Sequence, residues 1–430
     1  MADLIVKGGK ALNGEITPAG NKNSALPILC ATLLTDEDII INNFPELTDV
    51  TKLIELMQEL GSSVEWNKEK QVVKINNSGF CKSFGDAGLP LGMRGALLIL
   101  APLLVRHGEL RIKQEIGGCA LGIREIDPHL EVFKALGANV KTGDTIEIDA
   151  KNGLTGSTLW QDYMSVTTTE NFLMAAVKAN GRSEMVNAAS EPHVQDLCNF
   201  LNQMGAKISG IGSSTLVVDG VPQLHGTEFT ISSDHHEITT LLALGAMTGG
   251  QVRVNNAIPE HFQLINKTFA KFGVTIKYDK TTAYSESNGG LKVVEPFTKN
   301  MLQKVEAAPW PYFPADLLPL MMALAVKAEG NCMFWNKVYE AGFFWIPEMI
   351  KFGAHIVMCD PHRVIVFGGK ELKAAQVDAP NIIRATVALL MVALTIDGES
   401  TIRNADSIKR AHPNFVENLQ KLGADIRWEN

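Results

Sequence analysis

EVFKALGANVKT, residues 131–142, joins an amphipathic segment to a glycine and then to a short β-branched run. The pattern returns in ELMQELGSSVEW (55–66), NFLNQMGAKISG (199–210), KTFAKFGVTIKY (267–278), PEMIKFGAHIVM (347–358) and ENLQKLGADIRW (417–428). Each copy predicts a helix, a C-terminal cap and a strand. The glycine suits the position just past a helix, where φ is positive and a Cβ is costly. Gly61, Gly137, Gly205, Gly273, Gly353 and Gly423 lie 68 to 80 residues apart. Such units are too long for common solenoids, and each has room for about two helices and several strands.

A second element follows the strand in LVVDGVPQLHG (216–226) and VIVFGGKELKA (364–374). The chain's start, LIVKGGKALNG (4–14), has the same form, whereas the last repeat stops at IRWEN. Residues 4–14 are therefore expected to complete the last repeat. The expectation is an α/β fold in two lobes of three repeats each. Residues 1–21 and 233–430 would form a discontinuous C-terminal lobe, and 22–232 the N-terminal lobe. Two chain crossings would leave a cleft between lobes, a common place for small-molecule sites.

A chain of 430 residues, 46% of them hydrophobic, is consistent with two cores. The net charge of −8 argues against nucleic acid as the main partner. GALLILAPLLV (95–105) and ATVALLMVALTI (385–396) fall short of the ~20 residues a spanning helix needs, and read as buried core helices. MADLIVKGGKALNG (1–14) lacks the apolar run of a signal peptide. The six cysteines show no CxxC spacing and no His cluster to complete a zinc site. These features predict a cytoplasmic protein with reduced thiols, no metal, no cofactor and no membrane association. P-loop, Rossmann, HExxH and GxSxG signatures are absent. The adjacent His235 and His236 read as structural or exposed rather than as a metal site.

Several polar residues stand at the heads of apolar segments. Lys22 and Asn23 open GNKNSALPILCATLL (20–34), and Arg94, Arg384 and Arg410 precede helical runs. A cation is unfavourable at a helix start unless an anion is also held there. Recurring cations in an acidic chain suggest concentrated positive potential. In GGCALGIREIDPH (117–129) the glycines allow close approach, and Cys119 lies near the obligatory cation Arg124. Such a thiol can serve as acid, nucleophile or inert core group. Asp316 follows the proline-rich KVEAAPWPYFPA and fits either a helix cap or a general base.

AGNKNSALPILCATLL (19–34), GGCALGIREIDPH, PYFPADL (311–317) and the sixfold repeat resemble the UDP-N-acetylglucosamine 1-carboxyvinyltransferase family. That family shares its fold with EPSP synthase. The resemblance covers essentially the whole chain. It implies two inside-out α/β barrels of three βαβαββ repeats each. It also implies transfer of enolpyruvyl from phosphoenolpyruvate to the 3-hydroxyl of UDP-N-acetylglucosamine, early in peptidoglycan precursor synthesis. By the same resemblance, Cys119 would be the loop acid, alkylated in that family by the epoxide fosfomycin, and Asp316 the base. Lys22, Arg94, Arg124, Arg384 and Arg410 would hold phosphoenolpyruvate, Arg384 on its carboxylate. Asn23, Arg124, Glu125, Ile126, Asp127, Ser165 and Val166 would line the nucleotide and sugar site. The protein would act as a monomer on small molecules, without a cofactor.

The sequence departs from the family at ligand positions. The arginine of the family's E-N-R-F segment is Gly342 here, with Lys337 a candidate to take over its carboxylate contact. An aspartate two residues before Arg384 is Ile382, beside Asn381 and an apparent insertion. Two lysines are Thr48 and Tyr163, an arginine is His235, and a proline is Glu125. Two alternatives therefore stay open: an enolpyruvyl transferase with another nucleotide acceptor such as UMP, or a non-catalytic nucleotide-binding relative.

Overall fold

The computed structural model describes residues 2–80, 94–113, 125–287, 290–412 and 414–429. The six predicted glycines all have positive φ, between 73° and 103°. At Gly137, the glycine N–H donates to Lys134 O and the Ala138 N–H to Phe133 O, both 2.9 Å. This paired bonding satisfies the last helical carbonyls. The strand follows at once, as Asn139–Lys141 does here.

Two compact units form. One consists of Met1–Ala19 with Ser233–Asn430. The other is drawn from residues between 20 and 232. The first boundary falls two residues earlier than the sequence places it. Asn21 explains the difference: its N–H donates to Ser232 O at 2.8 Å, inside the second unit.

Each unit holds three sheets. Five of the six have four described strands, and the sixth has three. Every four-stranded sheet has one parallel pair at an edge, followed by two antiparallel pairings. The strand Asp3–Gly8 pairs with both Gly398–Arg403 and Asp425–Glu429, so the N-terminus completes the last repeat. Thr215–Asp219 and Arg363–Gly368 occupy the same central place in their sheets. The glycine ending the first of these strands meets a buried helix closely. A Cβ on Gly8 would lie 2.2 Å from Ala393 O, and the same crowding recurs at Gly220 and Gly368.

Two helix types result. Outer helices are amphipathic: Thr48–Glu59 buries Val50, Leu53, Ile54 and Met57, a single stripe at helical spacing. Inner helices are buried on all sides. In the first unit these are His235–Thr248, Leu318–Lys327 and Ile383–Leu394. In the second they include Lys22–Ala31 and Val166–Ala176. Each inner helix packs against a sheet or another inner helix, so each unit is helical inside and sheeted outside. The run at 385–396 falls on Ile383–Leu394, and that at 95–105 on Leu100–His107 and the 3-10 turn before it. No helix among the described residues is long and apolar enough to cross a membrane. Cys30, Cys198, Cys332 and Cys359 are free thiols.

Candidate active site

Nearly all the polar residues singled out in the sequence stand at or near the starts of helices. A helix start presents unpaired N–H groups and positive dipole potential. In the 20–232 unit, Asn21 caps Lys22–Ala31 by accepting from Asn23 N at 2.8 Å. Lys22 Nζ lies 2.6 Å from the Asp49 carboxylate, and both side chains are largely buried. Asp49 is a partner the sequence did not reveal. It sits in the first turn of Thr48–Glu59, where an acid looks like a routine dipole partner.

Ser165 caps Val166–Ala176, its Oγ accepting from Thr168 Oγ1 at 2.8 Å. Ile126 holds the capping position of Asp127–Ala135 without a side-chain bond, and Glu125 and Asp127 are exposed. Asn171 ties this region together by bonding Leu97 O and His129 Nδ1. Arg94 opens the turn Arg94–Ile99. Cys119 and Arg124 lie outside the described residues. Glu170, unnoticed in the sequence, is fully buried. Burial, then the charge of Glu191, raises its carboxyl well above the usual range.

In the other unit, Asp316 lies in the turn Ala315–Leu317 that leads into Leu318–Lys327. Its carboxylate accepts from the Tyr339 hydroxyl at 3.1 Å. Arg384 opens Ile383–Leu394 and is 8% exposed. Its charge has a protein partner: Nη2 lies 3.7 Å from the buried Asp234 carboxylate. This supplies the carboxylate missing at Ile382, whose side chain caps nothing. Arg384 Nη1 also bonds His412 Nε2. A guanidinium only donates, so Nε2 accepts and the His412 proton sits on Nδ1, 3.8 Å from Glu237. Arg410 is half-buried at the end of the turn Ala405–Arg410.

Asp234 organises this cluster. It caps His235–Thr248, accepting from His236 N at 2.8 Å and from His236 Nδ1 at 2.9 Å. Burial pushes its carboxyl up, but His236, Arg384 and His412 together hold it well below the usual range. His235 and His236 are buried, with ring centroids 4.0 Å apart. Asp234, His235 and His236 each offer a ligand atom within 4.8 Å of the others, a spacing that suits a metal. Arg384 already supplies positive charge to that carboxylate, so the cluster works as a buried ion-pair network. Asp234 with Glu237 at N3 also has a capping-box spacing that sequence reading passed over.

Asp316, Asn336, Tyr339, Gly342 and Arg384 line one cavity of about 30 Å³, with Trp345 and Ile382 in its wall. Lys337 is engaged elsewhere, 2.6 Å from Glu306 and over the Trp335 ring. The expected takeover by Lys337 therefore gives way to a different arrangement at Gly342.

Two units, helical within and sheeted without, with an acid and cations at buried helix starts, define the class. The chain belongs to the EPSP synthase family: the family described as EPSP synthase (3-phosphoshikimate 1-carboxyvinyltransferase) matches residues 6–419. Within it, the UDP-N-acetylglucosamine 1-carboxyvinyltransferase of Borreliella burgdorferi is 38% identical over 99% of each chain. The protein of that name from Bradyrhizobium diazoefficiens is 39% identical over 98% of this chain and 97% of its own. Among solved structures, the enolpyruvyl transferase NikO from Streptomyces tendae matches with a TM-score of 0.86 at 22% identity, over 99% of both chains. EPSP synthase from Acinetobacter baumannii matches with a TM-score of 0.77 at 17% identity, over the whole of both. These two likenesses speak for the fold.

Proposed function

We propose that this protein transfers the enolpyruvyl group of phosphoenolpyruvate to the 3-hydroxyl of UDP-N-acetylglucosamine and releases phosphate. The observation that carries the reading is near-full-length similarity, at 38% and 39% identity, to relatives bearing that name. Asp316, held by Tyr339, takes the hydroxyl proton as the oxygen bonds C2 of phosphoenolpyruvate. Cys119 delivers a proton to C3. The tetrahedral adduct then loses phosphate from C2 while C3 returns a proton, which restores the double bond. General acid–base transfer of this kind needs both groups in reach of the reacting atoms. Lys22, Arg94, Arg124, Arg384 and Arg410 meet the donor's negative charge, which grows crowded in the adduct. Asn23, Glu125, Ile126, Asp127, Ser165 and Val166 serve the nucleotide and sugar. The reaction places the protein in the cytoplasm, in peptidoglycan precursor synthesis.

The test is product analysis by mass spectrometry and NMR after incubation with both substrates. A vinyl ether on the sugar 3-oxygen is the expected result, and unchanged UDP-N-acetylglucosamine would overturn the reading. A second reading, another uridine nucleotide as acceptor, is favoured by Thr48 and the 53% exposed Tyr163, which stand where the resembled family carries lysines. Vinyl ether formation on UMP alone would select it.

A further inference from the structure

Gly342 and Asn336 face each other in the cavity beside Asp316. A Cβ at position 342 would lie only 2.1 Å from Asn336 Nδ2, so the amide fills the space a side chain there would take. The amide is fixed in place. Its Oδ1 accepts from Val338 N at 2.9 Å and from Tyr339 N at 3.0 Å. Those two bonds also identify the oxygen, which leaves the NH2 group facing position 342.

Asn336 is 3% exposed. The hydrogen bonds its side chain makes among the described residues are these two, both to oxygen. A buried NH2 group without an acceptor is costly, and such groups call for a ligand or water. The cavity of about 30 Å³ has room for one small polar group. The Arg384 guanidinium lines the same wall, and it too only donates. One cation, already partly met by Asp234, matches a monoanion better than a phosphate dianion. Asp316 in the same cavity makes a second negative charge still less welcome.

We propose that Asn336 Nδ2, together with Arg384, binds the carboxylate of the three-carbon donor, and that glycine at 342 is what admits the amide to this position. The inference rests on the enolpyruvyl-transfer reading for the identity of the donor. Asn336 is thus a donor-binding and specificity residue, and Gly342 acts through it as a positioning residue.

The test is calorimetric binding of phosphoenolpyruvate to the full chain, beside turnover with UDP-N-acetylglucosamine. Asn336→Asp keeps the oxygen that accepts from Val338 and Tyr339 but replaces the NH2 with a second oxygen. It should weaken phosphoenolpyruvate binding at least about tenfold, the scale of one hydrogen bond to a charged group, and leave UDP-N-acetylglucosamine affinity unchanged. Gly342→Ala should give the same selective loss, since its Cβ must displace the amide. The double variant should lose little more than either single one. If Asn336→Asp fails to fold by circular dichroism, Gly342→Ala carries the test alone. Donor affinity within about twofold of wild type in a folded variant overturns the proposal. Asn336-dependent donor binding without phosphate release to any acceptor would uphold it while overturning the reaction assigned above.

Discussion

Replacing Asp234 should destabilise the Met1–Ala19 and Ser233–Asn430 unit more than almost any other polar change. Its carboxylate caps His235–Thr248 and faces Arg384 at 3.7 Å, with both groups nearly excluded from water. Loss of the cap alone costs about 1 kcal/mol. Leaving Arg384 buried without its counter-charge costs roughly 3–5 kcal/mol. Asp234→Ala should therefore lose roughly 4–6 kcal/mol. Asp234→Asn retains the cap and should lose only the charge part, roughly 3–5 kcal/mol. Urea unfolding followed by tryptophan fluorescence suits the measurement, because Trp310, Trp335, Trp345 and Trp428 all belong to this unit. The sign with pH follows from the depressed carboxyl. A carboxyl held low in the fold stabilises above its unfolded pKa, and the stabilisation fades as pH falls through the folded value. The gap between wild type and Asp234→Asn should thus be full at neutral pH and close in strong acid. Asp234→Leu combined with Arg384→Met should recover much of the loss, since an apolar pair carries no desolvation cost. If Asp234→Ala unfolds within about 1 kcal/mol of wild type, the ion-pair account of Arg384 is wrong.

Tyr339→Phe should lower kcat about tenfold or more with donor and acceptor KM nearly unchanged, because it removes the hydroxyl that holds Asp316; steady-state kinetics decide it. Gly423→Ala should cost about 1–2 kcal/mol, measured by the same urea method. A Cβ there meets nothing within 4 Å, so the cost comes from φ of +97° alone. Fosfomycin should alkylate Cys119 and spare Cys30, Cys198 and Cys332, whose thiols burial pushes up, Cys332 to about 12. Peptide mass mapping reads this directly, with exposed Cys359 as the control for unselective reaction.

The fold was legible because its signals are local. A glycine after an amphipathic run announces its own φ, and LIVKG announces its kinship with LVVDG and VIVFG. An all-apolar stretch likewise reports its own burial. The heads of the inner helices were legible for the same reason, since Lys22, Asp316 and Arg384 stand beside the apolar runs they begin. Their partners were not. Asp49 reaches Lys22, Asp234 and His412 reach Arg384, and Asn336 fills the place of a side chain at Gly342. Each pairing is made by the packing of separate elements. Asp49 and Asp234 each have an adequate local explanation as a dipole partner or a cap, which conceals the second role.

The measurement that tests the central claim most directly is phosphate release from phosphoenolpyruvate with UDP-N-acetylglucosamine, UMP and UDP offered separately. Steady release with UDP-N-acetylglucosamine, abolished in Asp316→Ala, is the predicted result. Release with none of the three, by a folded protein, would contradict it.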